Sequence, residues 1–326
     1  MIPFRLPRPR PDSLSEGHDF SRAVEPAEEK RALAPEGSRS WPTAGIFTIL
    51  LLLLLGAPGS AKPPSAPDVA GSAALQQQST ARLLEQRFPE PGLSYLLLDA
   101  RTGDLIAARW ENAAQPVPMG SLLKPFTALA YGEAHGFHYP EYVCRGQAAG
   151  CWRPRGHGRI GIAEAVAHSC NAYFRSLAAQ VPAADLAAVL ARYGMNAAHP
   201  SDSASAKIGV GNGWRIPPLA MARAYLALAS RSSDPGAGDL ATGMLLSASL
   251  GTGSAVDTAL DGKRARVKTG TAPCLHAHKL PGDGYAVVLY PAESPRFLLL
   301  VQAHGVPGSK AAVSAGRMMR VVLDGD

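Results

Sequence analysis

Apolar positions fall into three regimes along the chain. Residues 1–42 mix Pro, Arg and Glu with no period of 2 or 3.6, which predicts a disordered segment. An uninterrupted apolar run ending at Leu55 dominates 43–61, and 62–88, rich in Pro, Ala, Ser and Gln, reads as a linker. Patterned sequence begins near Leu83, so the folded domain is expected over 89–326. Leu93 to Asp99 and Leu105 to Trp110 are short apolar runs separated by Arg101-Thr102-Gly103-Asp104, which is turn chemistry and predicts a β-hairpin. Helical spacing follows at 121–134, through Leu122, Phe126, Leu129 and Ala130, and again at 161–180. A further helix should open at Pro182 and stop at Gly194, with others over 217–230 and 239–250. Strand character returns at Arg264 to Thr271, Gly284 to Tyr290 and Arg296 to Gln302, before a last helix from Ser309 to Val322. This order predicts a mixed α/β fold of the α+β type. Its N- and C-terminal strands would pair in one central antiparallel sheet, with the inserted helical block packed on it.

Composition changes this picture little: 46% hydrophobic residues in 326 suffice for a sizeable core. A net charge of +6 suits a basic surface facing an anionic polymer, but also follows from a modest excess of Arg. No Lys/Arg run resembles a nucleic-acid patch, which sets that partner aside. The apolar run in 43–61 is short for a spanning helix of about 20 residues and long enough for a signal core, with small residues at Gly59-Ser60-Ala61. The charge-balanced stretch before it is unlike a basic leader, so the true start could lie downstream, and cleaved signal and membrane anchor both stay open. Either puts the remainder outside the cytoplasm, in the periplasm or at the inner membrane.

The cysteines Cys144, Cys151, Cys170 and Cys274 lack paired C-x-x-C spacing, which argues against a structural zinc site. Cys144 and Cys151 bracket a short Gly-containing loop and are either a disulfide or two free thiols. Cys274-Leu275-His276-Ala277-His278 offers period-2 ligands but reads as an ordinary loop, and His157 and His168 read as packing residues.

Three short motifs carry chemistry. Ser121-Leu122-Leu123-Lys124 places a hydroxyl and an amine at i and i+3 of one helix face, behind the loop Pro118-Met119-Gly120. At a helix N-terminus, free amides favour developing negative charge, and a lysine so placed acts as a base once burial lowers its pKa. Ser169-Cys170-Asn171 puts two poor helix formers inside a helical stretch: a helix break, or residues needed by something outside the helix. Lys268-Thr269-Gly270-Thr271 lies on an expected strand. There Gly270 lets a ligand backbone approach, while Lys268 and Thr269 offer a cation and a hydroxyl to a carboxylate.

In the order S-x-x-K, S-x-N, K-T-G, these motifs resemble the transpeptidase domain of penicillin-binding proteins, within the superfamily that includes serine β-lactamases. Met119 to Phe126, Gly156 to Phe174, Ile208-Gly209-Val210-Gly211 and Pro217 to Tyr225 extend the likeness, so that it spans roughly 91–323. The resemblance implies a β-lactamase/transpeptidase-like fold and a serine acyl-enzyme on D-Ala-D-Ala stem peptides of peptidoglycan, inhibited covalently by β-lactams. It assigns Ser121 as nucleophile, Lys124 as its base and Ser169 as proton relay. Asn171 would hold the peptide amide, Lys268 and Thr269 the terminal carboxylate, and the N–H groups of Ser121 and Thr271 the oxyanion. Neither metal nor organic cofactor is implied. No glycosyltransferase domain is expected from this sequence, so wall-synthesis partners would supply that activity, and Val267 stands where many members carry smaller residues. No glutamate occurs between Glu164 and Glu293, whereas class A β-lactamases place their deacylating Glu between the second and third motifs. A D,D-transpeptidase is therefore expected, with a D,D-carboxypeptidase or a non-catalytic β-lactam-binding or sensor module as alternatives.

Overall fold

The computed structural model describes residues 69–274 and 281–325. The expectations for 1–42, 43–61, His276 and His278 lie outside the described residues. Among those described, no helix is long and apolar enough to cross a membrane.

A five-stranded antiparallel sheet has the order β2-β1-β9-β8-β7. Its strands are β1 (Leu93–Asp99), β2 (Leu105–Arg109), β7 (Arg266–Ala272), β8 (Asp283–Tyr290) and β9 (Phe297–Ala303). The N-terminal hairpin thus pairs with a C-terminal strand, Leu93 opposite Ala303, as the pattern predicts. Alternation along each strand feeds two cores, because successive side chains point to opposite faces. Leu96, Leu98, Val287, Leu289, Leu298 and Leu300 join the large core of the helical block. Tyr95, Leu97, Val288, Leu299 and Val301 meet a smaller core on the other face.

The helical block comprises α2 (Lys124–Ala134), α3 (Ile162–Ala167), α4 (Asn171–Ala178), α5 (Ala183–Arg192), α6 (Ala204–Lys207), α7 (Pro218–Ser230) and α8 (Ala237–Leu250). Two short ribbons support it: β3 (Val117–Pro118) with β6 (Arg215–Ile216), and β4 (Tyr142–Cys144) with β5 (Gly158–Ile160). The opposite layer holds α1 (Val69–Arg87), α9 (Ser254–Ala259) and α10 (Gly308–Asp324).

Three expectations change. The stretch read as linker is helical from Val69, because Pro clusters before residue 68 while Ala, Leu and Gln, all good helix formers, fill the rest. Leu84 and Phe88 then bury their side chains in the smaller core. The single helix expected over 161–180 is two, α3 and α4, broken at His168 to Cys170. The first motif begins as a 3₁₀ turn, Gly120–Leu123, and becomes α-helical only at Lys124.

Candidate active site

The three motifs meet where sheet edge β7 faces the helical block. Gly120 adopts φ +59° and lies so close to β7 that a Cβ on it would sit 2.5 Å from the Thr271 carbonyl oxygen. A Cβ on Gly270 would lie 2.8 Å from the Met119 carbonyl oxygen, so both sides of this crossing need glycine. Gly209 backs the turn from behind, its missing Cβ only 1.9 Å from the Gly120 carbonyl oxygen. Tyr225 of α7 donates its hydroxyl to the Leu122 carbonyl at 2.9 Å. Ser121 is thus pinned on a turn held by three elements and remains partly exposed.

Lys124 is fully buried, its ammonium 5.5 Å from the Phe174 ring centroid. It donates to the Ser169 carbonyl at 2.7 Å, to Ser169 Oγ at 3.2 Å and to Asn171 Oδ1 at 2.6 Å. Lys268 is also fully buried and donates to Ser169 Oγ at 2.9 Å and to the Thr269 carbonyl at 2.7 Å. Two lysines, 144 residues apart in sequence, therefore converge on one hydroxyl. Its two lone pairs accept both, which leaves its own proton free to point at a third group. Burial brings Lys124 down to about 7, so an appreciable fraction is neutral near neutral pH. Burial, with the charge of Lys124 added, holds Lys268 well below the ordinary lysine value.

Ser169 reaches this position at φ +49°, in the left-handed region, within the break between α3 and α4. Asn171 is the first residue of α4, so the break, not helical periodicity, aims both side chains. Glu164 closes the other end by accepting the Gly161 N–H at 3.1 Å. On β7, Thr269 Oγ1 lies 2.5 Å from Thr252 Oγ1, and Thr271 Oγ1 accepts the N–H of Gly308 at 3.0 Å. All eight motif residues, Ser121, Lys124, Ser169, Asn171 and Lys268 to Thr271, are therefore brought to one crossing. Sequence reasoning missed Thr252 and the roles of Gly120 and Gly209. The run Gly251-Thr252-Gly253 was the only local signal for the first.

All four cysteines are free thiols, so the open choice at Cys144 and Cys151 falls to the thiols. The rings of His157 and His168 stack at 5.1 Å.

Residues 93–323 match the family model of the penicillin binding protein transpeptidase domain, and the chain belongs to that family. No curated protein gives a significant sequence match. Solved structures share the fold at low identity. Pseudomonas aeruginosa PBP2, in complex with WCK 5153, aligns with a TM-score of 0.63 and 18% identity over 77% of this chain and 74% of that one. The D,D-transpeptidase domain of an Eggerthella lenta peptidoglycan glycosyltransferase gives 0.60 and 18% over 76% and 81%. The transpeptidase domain of Burkholderia pseudomallei penicillin-binding protein 3 gives 0.58 and 16% over 82% and 96%.

Proposed function

We propose that this chain is a peptidoglycan D,D-transpeptidase working through an acyl-enzyme on Ser121, outside the cytoplasm and tethered or exported by its N-terminal apolar segment. The observation that carries the reading is the convergence of buried Lys124 and Lys268 on Ser169 Oγ, Lys124 standing three residues after Ser121.

In this reading the donor stem peptide lies along β7, whose outer edge is unpaired in the sheet, with its terminal carboxylate toward Lys268 and Thr269. Neutral Lys124 takes the Ser121 hydroxyl proton as Oγ bonds to the penultimate D-Ala carbonyl carbon. Negative charge then builds on the carbonyl oxygen, where the N–H groups of Ser121 and Thr271 stabilise it. The C–N bond breaks as Ser169 passes a proton to the departing D-Ala amine, restocked from Lys124. An acceptor amine attacks the ester carbon and gives up its proton to neutral Lys124 by way of Ser169; Lys124 passes that proton to Ser121 Oγ as the C–O bond breaks, and the cross-linked peptide leaves. Asn171 holds the donor amide in register throughout. β-Lactams would acylate the same serine, and partner enzymes would supply glycan polymerisation.

Labelling with a fluorescent penicillin tests this. The intact chain should label and Ser121→Ala should not; a folded chain that stays unlabelled, or equal label on both, sinks it. Product analysis with a D-amino-acid acceptor then separates amine transfer from carboxypeptidase hydrolysis.

A further inference from the structure

Cys144, Cys151, His157 and Cys170 point their ligating atoms at one spot, all within 4.8 Å of one another. Cys151 Sγ lies 3.8 Å from Cys170 Sγ and 3.6 Å from His157 Nδ1. Tetrahedral zinc, with bonds of about 2.3 Å to sulfur and 2.0–2.1 Å to nitrogen, sets S···S at about 3.8 Å and S···N at about 3.5 Å. The side chains are thus spaced as ligands around a metal. The three cysteines are buried, at 2%, 4% and 0% exposure.

The surrounding backbone suits thiolates. Main-chain N–H groups of Arg153, Asn171 and Ala172 point at Cys151, and that of Tyr173 at Cys170. Three of these are the otherwise unpaired amides of the first turn of α4, where negative charge is favoured. The loop from Cys144 to Gly158 is folded back on itself by glycine. A Cβ on Gly146 would lie 2.1 Å from the Pro154 carbonyl oxygen, and one on Gly156 would lie 2.1 Å from that of Cys144. The ribbon closing this loop pairs only three residues per strand, too few to hold such a loop alone.

A second cluster, Cys274, Asp283 and His304, sharpens the contrast. There Asp283 Oδ1 sits 2.9 Å from the thiol and 2.7 Å from His304 Nδ1, while Oδ2 accepts Gln302 at 2.9 Å. Those are hydrogen-bond separations, shorter than ligand edges. The spacing argument against zinc fails at the first cluster because its donors come from β4, the following loop and the α3–α4 break, with no C-x-x-C needed.

We propose that Cys144, Cys151, His157 and Cys170 form a structural Cys₃His zinc site that ties the Cys144–Gly158 loop to the Ser169-Cys170-Asn171 motif. The soft donor set and closed tetrahedron select zinc over oxygen-seeking cations. Since Cys170 lies between Ser169 and Asn171, the metal would fix the two side chains that hold Lys124.

The test needs no activity. The full chain, purified under reducing conditions without chelator, should carry about one zinc per chain by elemental mass spectrometry. Apo-protein given cobalt(II) should show tetrahedral d–d bands and thiolate-to-cobalt charge transfer. Cys144→Ser, which leaves the motif's own residues unchanged, should weaken retention at least about tenfold and shift the charge-transfer band. Cys274→Ser should leave both unchanged. A native chain with negligible zinc and no cobalt charge-transfer band overturns the site, as does a Cys151–Cys170 disulfide in the native protein. Penicillin labelling reads the serine separately, so either reading can fail without the other.

Discussion

Ser169 holds a backbone conformation that an L side chain resists. At φ +49° a non-glycine residue pays about 1–2 kcal/mol, and here the surrounding bonds to Lys124 and Lys268 keep it there. That separates strain from chemistry. Ser169→Ala and Ser169→Gly both delete the hydroxyl, but only the second relieves the backbone. We expect the glycine variant to be more stable than the alanine variant by about 0.5–1 kcal/mol, the reverse of their usual order in regular structure. Both should acylate at least about 10²-fold more slowly with penicillin if the hydroxyl relays protons. Equal melting temperatures would remove the strain argument, and unimpaired acylation would take Ser169 out of the proton path. None of this strain was legible from the sequence, where two poor helix formers in a helical run signalled only a break or an outside demand.

Among the elements, the hairpin, α5, α7, α8, α10 and the three C-terminal strands were readable because each carries its own period and its own stop. Helix α1 was not, since its faces acquire meaning only against β2 and α10. The ribbons β3–β6 and β4–β5 are two or three residues long and have no period to detect. The crossing of the three motifs is likewise a pairing of distant segments. Gly120 reads locally as part of a loop, yet its need for glycine comes from β7. Gly120→Ala should destabilise by about 1–3 kcal/mol from its φ and, by pushing Thr271 away, slow penicillin acylation well beyond any loss of folded protein. Gly103→Ala is the control: φ is +77° but nothing lies within 4 Å of the added methyl, so stability should fall while acylation holds. Equal acylation by the two folded variants would mean that the close approach does not govern the oxyanion position.

Across the molecule, a sheet coated on both faces gathers the buried lysines Lys124 and Lys268 where its β7 edge meets the helical block. The order of the three motifs was legible because each is local; their convergence on Ser169 Oγ is a property of the three-layer packing. The same packing bears on how long an acyl-enzyme lasts. Hydrolysing the ester needs a base that holds a water against it, and class A β-lactamases supply a glutamate from between the second and third motifs. Here that interval holds none, and Glu164, just ahead of it, is engaged in capping α3. The lysine pair is already bonded to Ser169 Oγ. A stem-peptide amine brings its own nucleophilicity, whereas water does not. The penicilloyl adduct on Ser121 should therefore persist for hours in buffer, visible as an undiminished mass increment on the intact chain after excess drug is removed. Decay on the timescale of minutes, with hydrolysed penicillin accumulating catalytically, would place a deacylating base in this site and turn the reading from wall synthesis to drug destruction.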